Sequence, residues 1–439
     1  MNNIDYTNYV VNIEIQAYNI NLDYPEIKEL IGVSGSGFYI DNGLILTCYH
    51  VVKSSAKIIV YTKNKNNEYK LNNAFVKYIF PDDDLAVIEL ENKDILYKIF
   101  NFNVITSKNK NNINDVLTIG YPDKKININN GIISAYTHSK IQTNSTLNPG
   151  NSGGPLIIDN DKVIGVNVSY EVDSNNKYYS IPIFRFLILY QLNKDKLEFI
   201  NRKPKFLFDY QNNEQKFYDI EYGVLITEID EKSVLNKYNI CVSDLIIEIN
   251  GHKVNYDGNI KFNFYPDDIN IKEMGLWYIV GDTIKFTVIK GINKKKVIIP
   301  VIAEYTEENI IDYFPEKNIN QKEYLFKING FTFSVLTKYH LENNVSREKI
   351  GEYYSDYICK FKGLNKKFIV YLSNIDINRV SSNVVQYPIN KIVTHFWIDN
   401  EFKELKNYQI FIDLIKKDIT KFKTIDNEIF YINKKIDKE

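Results

Sequence analysis

Asn148-Pro149-Gly150-Asn151-Ser152-Gly153-Gly154-Pro155-Leu156 sets one serine on a tight, glycine-flanked turn that opens directly into an apolar run, Pro155-Leu156-Ile157-Ile158. Gly150 frees the backbone to aim its own N–H and that of Ser152 at one spot, the arrangement a developing oxyanion needs, with Asn151 between them. Gly153 and Gly154 strip away side-chain bulk where an extended chain would have to approach. An isolated Ser-Gly-Gly is far more often a plain hairpin turn than a reactive site. The reading therefore depends on a base and a group to orient it.

A serine hydroxyl is a weak nucleophile at neutral pH and needs a histidine within hydrogen-bond reach, usually with a carboxylate that sets the imidazole tautomer. Of the five histidines, His50 stands out. It follows Gly35-Ser36-Gly37-Phe38-Tyr39-Ile40 and Leu44-Ile45-Leu46-Thr47, two short strands joined at Asp41-Asn42-Gly43, a strong hairpin signal. The carboxylate is sought in Pro81-Asp82-Asp83-Asp84, which leads into Leu85-Ala86-Val87-Ile88. Asp84 abuts the apolar strand and is the one expected to be drawn inside, whereas Asp82 and Asp83 after a proline fit a solvated turn. The register among these three aspartates stays open at this point. The chain order His, Asp, Ser is that of the chymotrypsin class. A strand, not a helix, follows Gly154, which disfavours an α/β-hydrolase elbow.

These segments, with Asp84-Leu85-Ala86-Val87, Ile119-Gly120-Tyr121-Pro122 and Gly131-Ile132-Ile133-Ser134, resemble the HtrA/Deg serine proteases. The resemblance implies a mainly β fold: a chymotrypsin/trypsin-like double β-barrel protease domain followed by two PDZ-like domains. It implies His50 as general base, Asp84 as its orienter, Ser152 as nucleophile, and an oxyanion hole at Gly150, Asn151 and Ser152. Asn167, Val168 and Ser169 would line the pocket for the substrate side chain. No acidic residue sits at the base of that stretch, so a small or branched apolar residue is expected before the scissile bond.

At 439 residues the chain has room for about three domains, expected at 1–197 (protease), 205–305 (first PDZ) and 320–439 (a divergent second PDZ). A net charge of −1 with no basic tract argues against nucleic-acid binding. Three well-separated cysteines, Cys48, Cys241 and Cys359, suggest a reducing compartment and no metal site, and the mechanism calls for no cofactor. No signal peptide, transit peptide or membrane-spanning stretch is evident, so a cytoplasmic location is expected. The abundance of Asn, Ile, Lys and Tyr fits an AT-rich genome.

Beyond Lys196 the pattern changes. Tyr222-Gly223-Val224-Leu225, then Asp244-Leu245-Ile246-Ile247-Glu248-Ile249-Asn250-Gly251, then Gly281-Asp282-Thr283-Ile284 resemble a PDZ domain. In that likeness the Tyr222–Leu225 loop would offer backbone N–H groups to a peptide carboxylate, with the adjoining strand taking the peptide as an extra strand. A long insertion, 255–278, carries Phe262, Phe264, Tyr265 and Trp277 and is expected to serve recognition, docking or simple packing. His138, His252, His340 and His395 are expected to be structural. The resemblance implies an ATP-independent endopeptidase acting on unfolded polypeptides or peptide C-termini, assembled as a trimer-based homo-oligomer. The alternative is a peptide-binding chaperone or scaffold with latent protease activity.

Overall fold

The computed structural model describes residues 4–20, 28–105, 115–173, 177–231, 233–262 and 267–304, and in the carboxy-terminal part 325–328, 331–335, 370–375, 391–405, 408–417, 421–424 and 427–432. The chain divides into two compact units, Met1–Ala17 with Gly32–Thr306, and Tyr18–Ile31 with Glu307–Glu439.

Strands β1 (Val10–Ile20), β2 (Lys28–Asp41), β3 (Leu44–Cys48), β4 (Ser55–Lys63), β5 (Tyr69–Phe80) and β6 (Leu85–Leu90) close a six-stranded barrel in the order β1-β2-β3-β6-β5-β4. Every residue of β3 is buried, as its unbroken apolar run requires. The antiparallel β3–β6 register pairs Cys48 with Leu85. That one pairing brings the chain just past β3, the short helix α1 (Tyr49–Val52), against the chain just before β6. His50 and Asp84 meet for that reason.

The second protease sheet has eight strands: β7 (Asn101–Phe102), β8 (Val116–Gly120), β9 (Asn127–Gly131), β10 (Ile133–Tyr136), β11 (Ile141–Thr143), β12 (Pro155–Ile158), β13 (Lys162–Asp173) and β14 (Lys177–Pro182). Its path runs β10-β11-β14-β13-β12-β8-β9, with β7 on β13. The end strands β9 and β10 are separated in sequence only by Ile132, so the sheet returns on itself through the chain. Leu156, Ile158, Ile164, Val116 and Ile141 fill its interior. Strand β12 begins at Pro155, immediately after the glycine-flanked serine, so the interior of this sheet anchors the turn.

Helix α2 (Ile183–Phe186) leads into a second β-module. Its sheet has the order β15-β16-β17-β21-β22, with β15 Phe208–Asn212, β16 Val224–Ile229, β17 Leu245–Ile249, β21 Thr283–Ile289 and β22 Lys296–Ile302, and β18 (His252–Lys253) pairing with β17. Strands β19 (Asn259–Lys261) and β20 (Asp268–Asn270) form a separate ribbon. Residues on both sides of the boundary expected between 197 and 205 share a core. Phe184 and Ile188 are buried with Phe206, Val224, Ile246, Met274 and Trp277. Phe184 stacks on Trp277 with ring centroids 5.0 Å apart. His138 Nδ1 meets Glu273 Oε2 at 2.6 Å, and its ring stands edge-on to Trp277. The far end of the 255–278 insertion is thus a docking element; Phe264 and Tyr265 lie outside the described residues.

The second unit contains β23 (Leu325–Ile328), β24 (Phe331–Val335), β25 (Val370–Ile375), β26 (Lys391–Ile398), β27 (Glu401–Glu404), helix α3 (Tyr408–Lys416), β28 (Lys421–Thr424) and β29 (Ile429–Tyr431), in one seven-stranded sheet. Phe411, Leu414 and Ile415 form the buried stripe of α3, and Phe411 meets Phe333 at 4.7 Å. Asp399 and Asn400, at φ 52° and 63°, make the tight β26–β27 hairpin that an Asn-Gly pair usually supplies. His340 and Cys359 lie outside the described residues. Among those described, no helix is long and apolar enough to cross a membrane.

Removing Trp277 from the shared core should cost about 3–5 kcal/mol. By hydrogen-exchange mass spectrometry, β21 and β22 are expected to lose protection together with β12 and β13 in the wild type and well before them in Trp277→Ala. Independent exchange of the two regions in the wild type would contradict a shared core.

Candidate active site

Both oxygens of Asp84 are spent on His50: Oδ2 lies 2.7 Å from Nδ1, and Oδ1 accepts the His50 backbone N–H at 2.8 Å. The Asp84 carbonyl also accepts Tyr49 N–H at 3.0 Å. Asp84 ends the 3₁₀ turn Pro81–Asp83 in the left-handed region at φ 50°, a conformation Asp tolerates better than most residues. With a carboxylate on Nδ1, the ring proton is held there and the lone pair is left on Nε2, the tautomer a general base requires. The imidazole is half-buried, 31% exposed.

The serine lies in two turns placed end to end. Asn151 N–H donates to Asn148 O at 2.9 Å, closing a turn whose second residue is Pro149 and whose third, Gly150, has φ 97°. Gly154 N–H donates to Asn151 O at 3.1 Å, closing another around Ser152 and Gly153, the latter at φ 85°. Both have the φ signs of a type II turn, which demands glycine at its third position. Gly150 is held there by close neighbours: a Cβ would lie 3.0 Å from Pro122 Cα and Tyr121 O. At Gly153 a Cβ would collide with Ser36 O and Thr47 Oγ1. The Asn151 amide, one of the three expected at the oxyanion hole, is used inside the first turn.

One residue with no assigned role in the sequence ties this loop to the first barrel. Ser36 is fully buried; its N–H donates to Ser152 O at 2.8 Å and its hydroxyl to Gly150 O at 2.6 Å, while that hydroxyl accepts Tyr121 N–H at 2.8 Å. The signal was present as a serine between two glycines inside a buried strand, Gly35-Ser36-Gly37. From the other side Asn167 exchanges hydrogen bonds with Gly153 and Gly154, its amide group donating to Pro155 O and accepting from Ser180 Oγ. Asn167 is fully buried, so its side chain braces the loop and does not line a pocket as expected. Val168 does border a cleft that also reaches Asp84 and Tyr179. The Ser169 side chain lies outside the described residues.

Cys48, His50 and Asp84 bring potential ligand atoms within 4.8 Å of one another, the one such trio among the described residues. Burial pushes the Cys48 thiol well up, with the Asp84 charge adding to the effect, and its Sγ donates to Asn167 O at 3.3 Å. A protonated thiol beside a carboxylate already engaged twice suits proton transfer better than ion binding.

The acidic run is not the solvated turn expected from its sequence. Asp83 is 5% exposed and meets Arg185 Nε at 2.9 Å and Lys203 Nζ at 2.6 Å. Burial alone would raise its carboxyl, but Arg185 and Lys203 together hold it below its ordinary value. Asp82 takes Arg202 in a two-pronged pair at 2.9 and 2.8 Å.

The loop expected to capture a peptide carboxylate is also placed differently. Gly223 N–H is taken by Val254 O at 2.9 Å, Tyr222 O accepts Asn213 Nδ2, and Val224 and Leu225 pair with β15 on one side and β17 on the other. At Val224 and Leu225 strand β16 is therefore interior, and a peptide cannot add beside these two residues. The strands at the two ends of the sheet's main path are β15 and β22.

An Asp-held histidine and a doubly turned serine at the junction of two β-sheets define a serine peptidase of the trypsin fold. Consistently, residues 35–166 match the family model for a trypsin-like peptidase domain. Putative protease Do-like 13 of Arabidopsis thaliana is 26% identical over 445 residues, 94% of this chain and 81% of that one. The serine protease DegP homolog of Plasmodium falciparum is 33% identical over 181 residues, 37% of this chain and only 20% of its own length. The probable periplasmic DegP-like endoprotease of Chlamydia muridarum is 29% identical, with about half of each chain covered, 53% and 48%. Among solved structures, the HtrA-type protease AlgW with tripeptide aligns at 19% identity and a TM-score of 0.47, over 68% of this chain and 94% of that one. Residues 35–166 thus carry a trypsin-like peptidase domain, and the chain is similar to Do-like and DegP-like proteases.

Ser36→Ala leaves buried groups at Gly150 and Tyr121 unpaired and should cost about 1–3 kcal/mol, read as a lower thermal midpoint. Gly150→Ala should stay folded by circular dichroism while peptidase turnover falls about 10²- to 10³-fold, because the first turn can no longer present its amide. Full turnover in folded Gly150→Ala would show that this amide does not serve the reaction.

Proposed function

We propose that this chain is a serine endopeptidase that cleaves exposed segments of unfolded polypeptides through an acyl-enzyme. The carrying observation is the Asp84 grip on His50, by ring and by backbone, beside a serine fixed in consecutive type II turns. His50 Nε2 takes the Ser152 proton as Oγ attacks the carbonyl, and the amides of Gly150 and Ser152 receive the oxyanion. The imidazolium, stabilised by Asp84, then protonates the leaving amine. Water repeats the sequence to release the acyl group.

The second β-module spans the residues expected to form the first PDZ domain. In this proposal peptide termini are taken along its free edge β15, preceded by Pro204-Lys205-Phe206-Leu207, where an extended chain can add as a further strand.

The test is degradation of an unfolded substrate such as casein by purified full-length protein, beside Ser152→Ala and His50→Ala. Wild-type turnover, with a loss of about 10⁴-fold or more in each variant, is expected. Equal residual activity in wild type and Ser152→Ala overturns the peptidase reading; equal suppression of casein aggregation by both, without cleavage, points to a chaperone.

A further inference from the structure

The turn that carries Asp84 is held from beneath by charges outside the triad, and one of them also touches the second module. Arg185 is 2% exposed. Its Nε faces Asp83 Oδ1 at 2.9 Å, and its Nη1 donates to the carbonyl of Leu276, in the docking element that ends at Trp277. Its neighbour in sequence, Phe184, is the residue stacked under Trp277. Asp83, the other end of this ion pair, precedes Asp84 directly. A cleft of about 250 Å³ beside the pair is bordered by Asp84, Val168, Tyr179, Arg185, Lys203 and Leu276, so the turn is not packed rigidly on that side.

We propose that Arg185 is a positioning residue for the Asp84–His50 pair, and that it makes the geometry of the triad conditional on docking of the second module. The proposal rests on the peptidase reading above. A guanidinium is a planar fork with fixed arms, so anchoring one arm on Leu276 O sets where the other meets Asp83. Loss of Arg185 leaves the buried Asp83 carboxylate with Lys203 as its counter-charge and draws it toward that more exposed ammonium. The open side of the turn gives Asp83 somewhere to go. Movement of Asp83 rotates the peptide shared with Asp84, which is held at φ 50° by this turn, and carries the carboxylate away from His50 Nδ1. Displacements near 1 Å in such a site cost about 10²-fold in rate. Lys203, which also meets Asp83, comes from the linker ahead of the second module, and its backbone N–H and Nζ donate to Asp82.

The experiment measures the rate at which a fluorophosphonate probe labels full-length protein between pH 5 and 9. The variants are Arg185→Met, Arg185→Lys, Trp277→Ala, the pair Arg185→Met/Trp277→Ala, and the charge-balanced pair Asp83→Asn/Arg185→Met. Arg185→Met and Trp277→Ala are each expected to slow labelling about 30-fold or more and to move the pH at which it is half-maximal. Arg185→Lys should recover part of the rate. The combined Arg185→Met/Trp277→Ala should be no slower than Arg185→Met alone, because both act through one turn. Asp83→Asn/Arg185→Met leaves no buried unpaired charge, so it should fold and still label slowly. Wild-type rate and pH profile in that folded variant, or multiplicative losses in Arg185→Met/Trp277→Ala, would overturn the proposal. A wild type that never labels would instead bring down the peptidase reading, and this one with it.

Discussion

A carboxylate that binds the same histidine twice is the contact on which the rest of this site is built. Had Asp84 met only the imidazole, the ring could swing with the side chain; by also accepting the His50 N–H, it fixes the ring relative to the backbone that bears it. The β3–β6 register delivers the two residues to one another, and the left-handed conformation at Asp84 aims the carboxylate across the gap. Local strain of this kind persists only where its surroundings over-determine it. Here they include Asp82 and Asp83, each tied to arginine or lysine from the segment after the barrel.

Ser152 is constrained by a different device. Two type II turns in succession require glycine at Gly150 and Gly153, and they leave Ser152 with little freedom beyond its own side-chain torsion. Ser36 on the first barrel and Asn167 on the second sheet hold the turns from both sides. The proposed base, His50, comes from one sheet and the proposed nucleophile, Ser152, from the other. Their alignment therefore depends on buried hydrogen bonds that cross between them, and each such bond is worth most because its loss would strand a buried partner.

The residues proposed to react were legible in the sequence because each sits in a local pattern: a strand ending at His50, an aspartate abutting a strand, a serine among glycines. What was not legible depended on partners far along the chain. Asp83 reads as a solvated turn residue until Arg185 and Lys203 are brought to it, and neither is near it in sequence. Tyr222–Leu225 has the glycine of a binding loop, but local pattern cannot say which strand will occupy a sheet's edge, and β16 proved to lie between β15 and β17. Trp277 was recognisable as an aromatic residue in an insertion; that it would stack on Phe184 and join two modules into one core is a tertiary fact.

The central claim, that Ser152 is an activated nucleophile, is tested most directly by mixing the full-length protein with an activated p-nitrophenyl ester and following nitrophenolate release on the millisecond scale. A rapid burst approaching one nitrophenolate per chain, then slow turnover, with the acyl group recovered on Ser152 by mass spectrometry, is the predicted result. Release with no burst, at the same rate in Ser152→Ala, would contradict it.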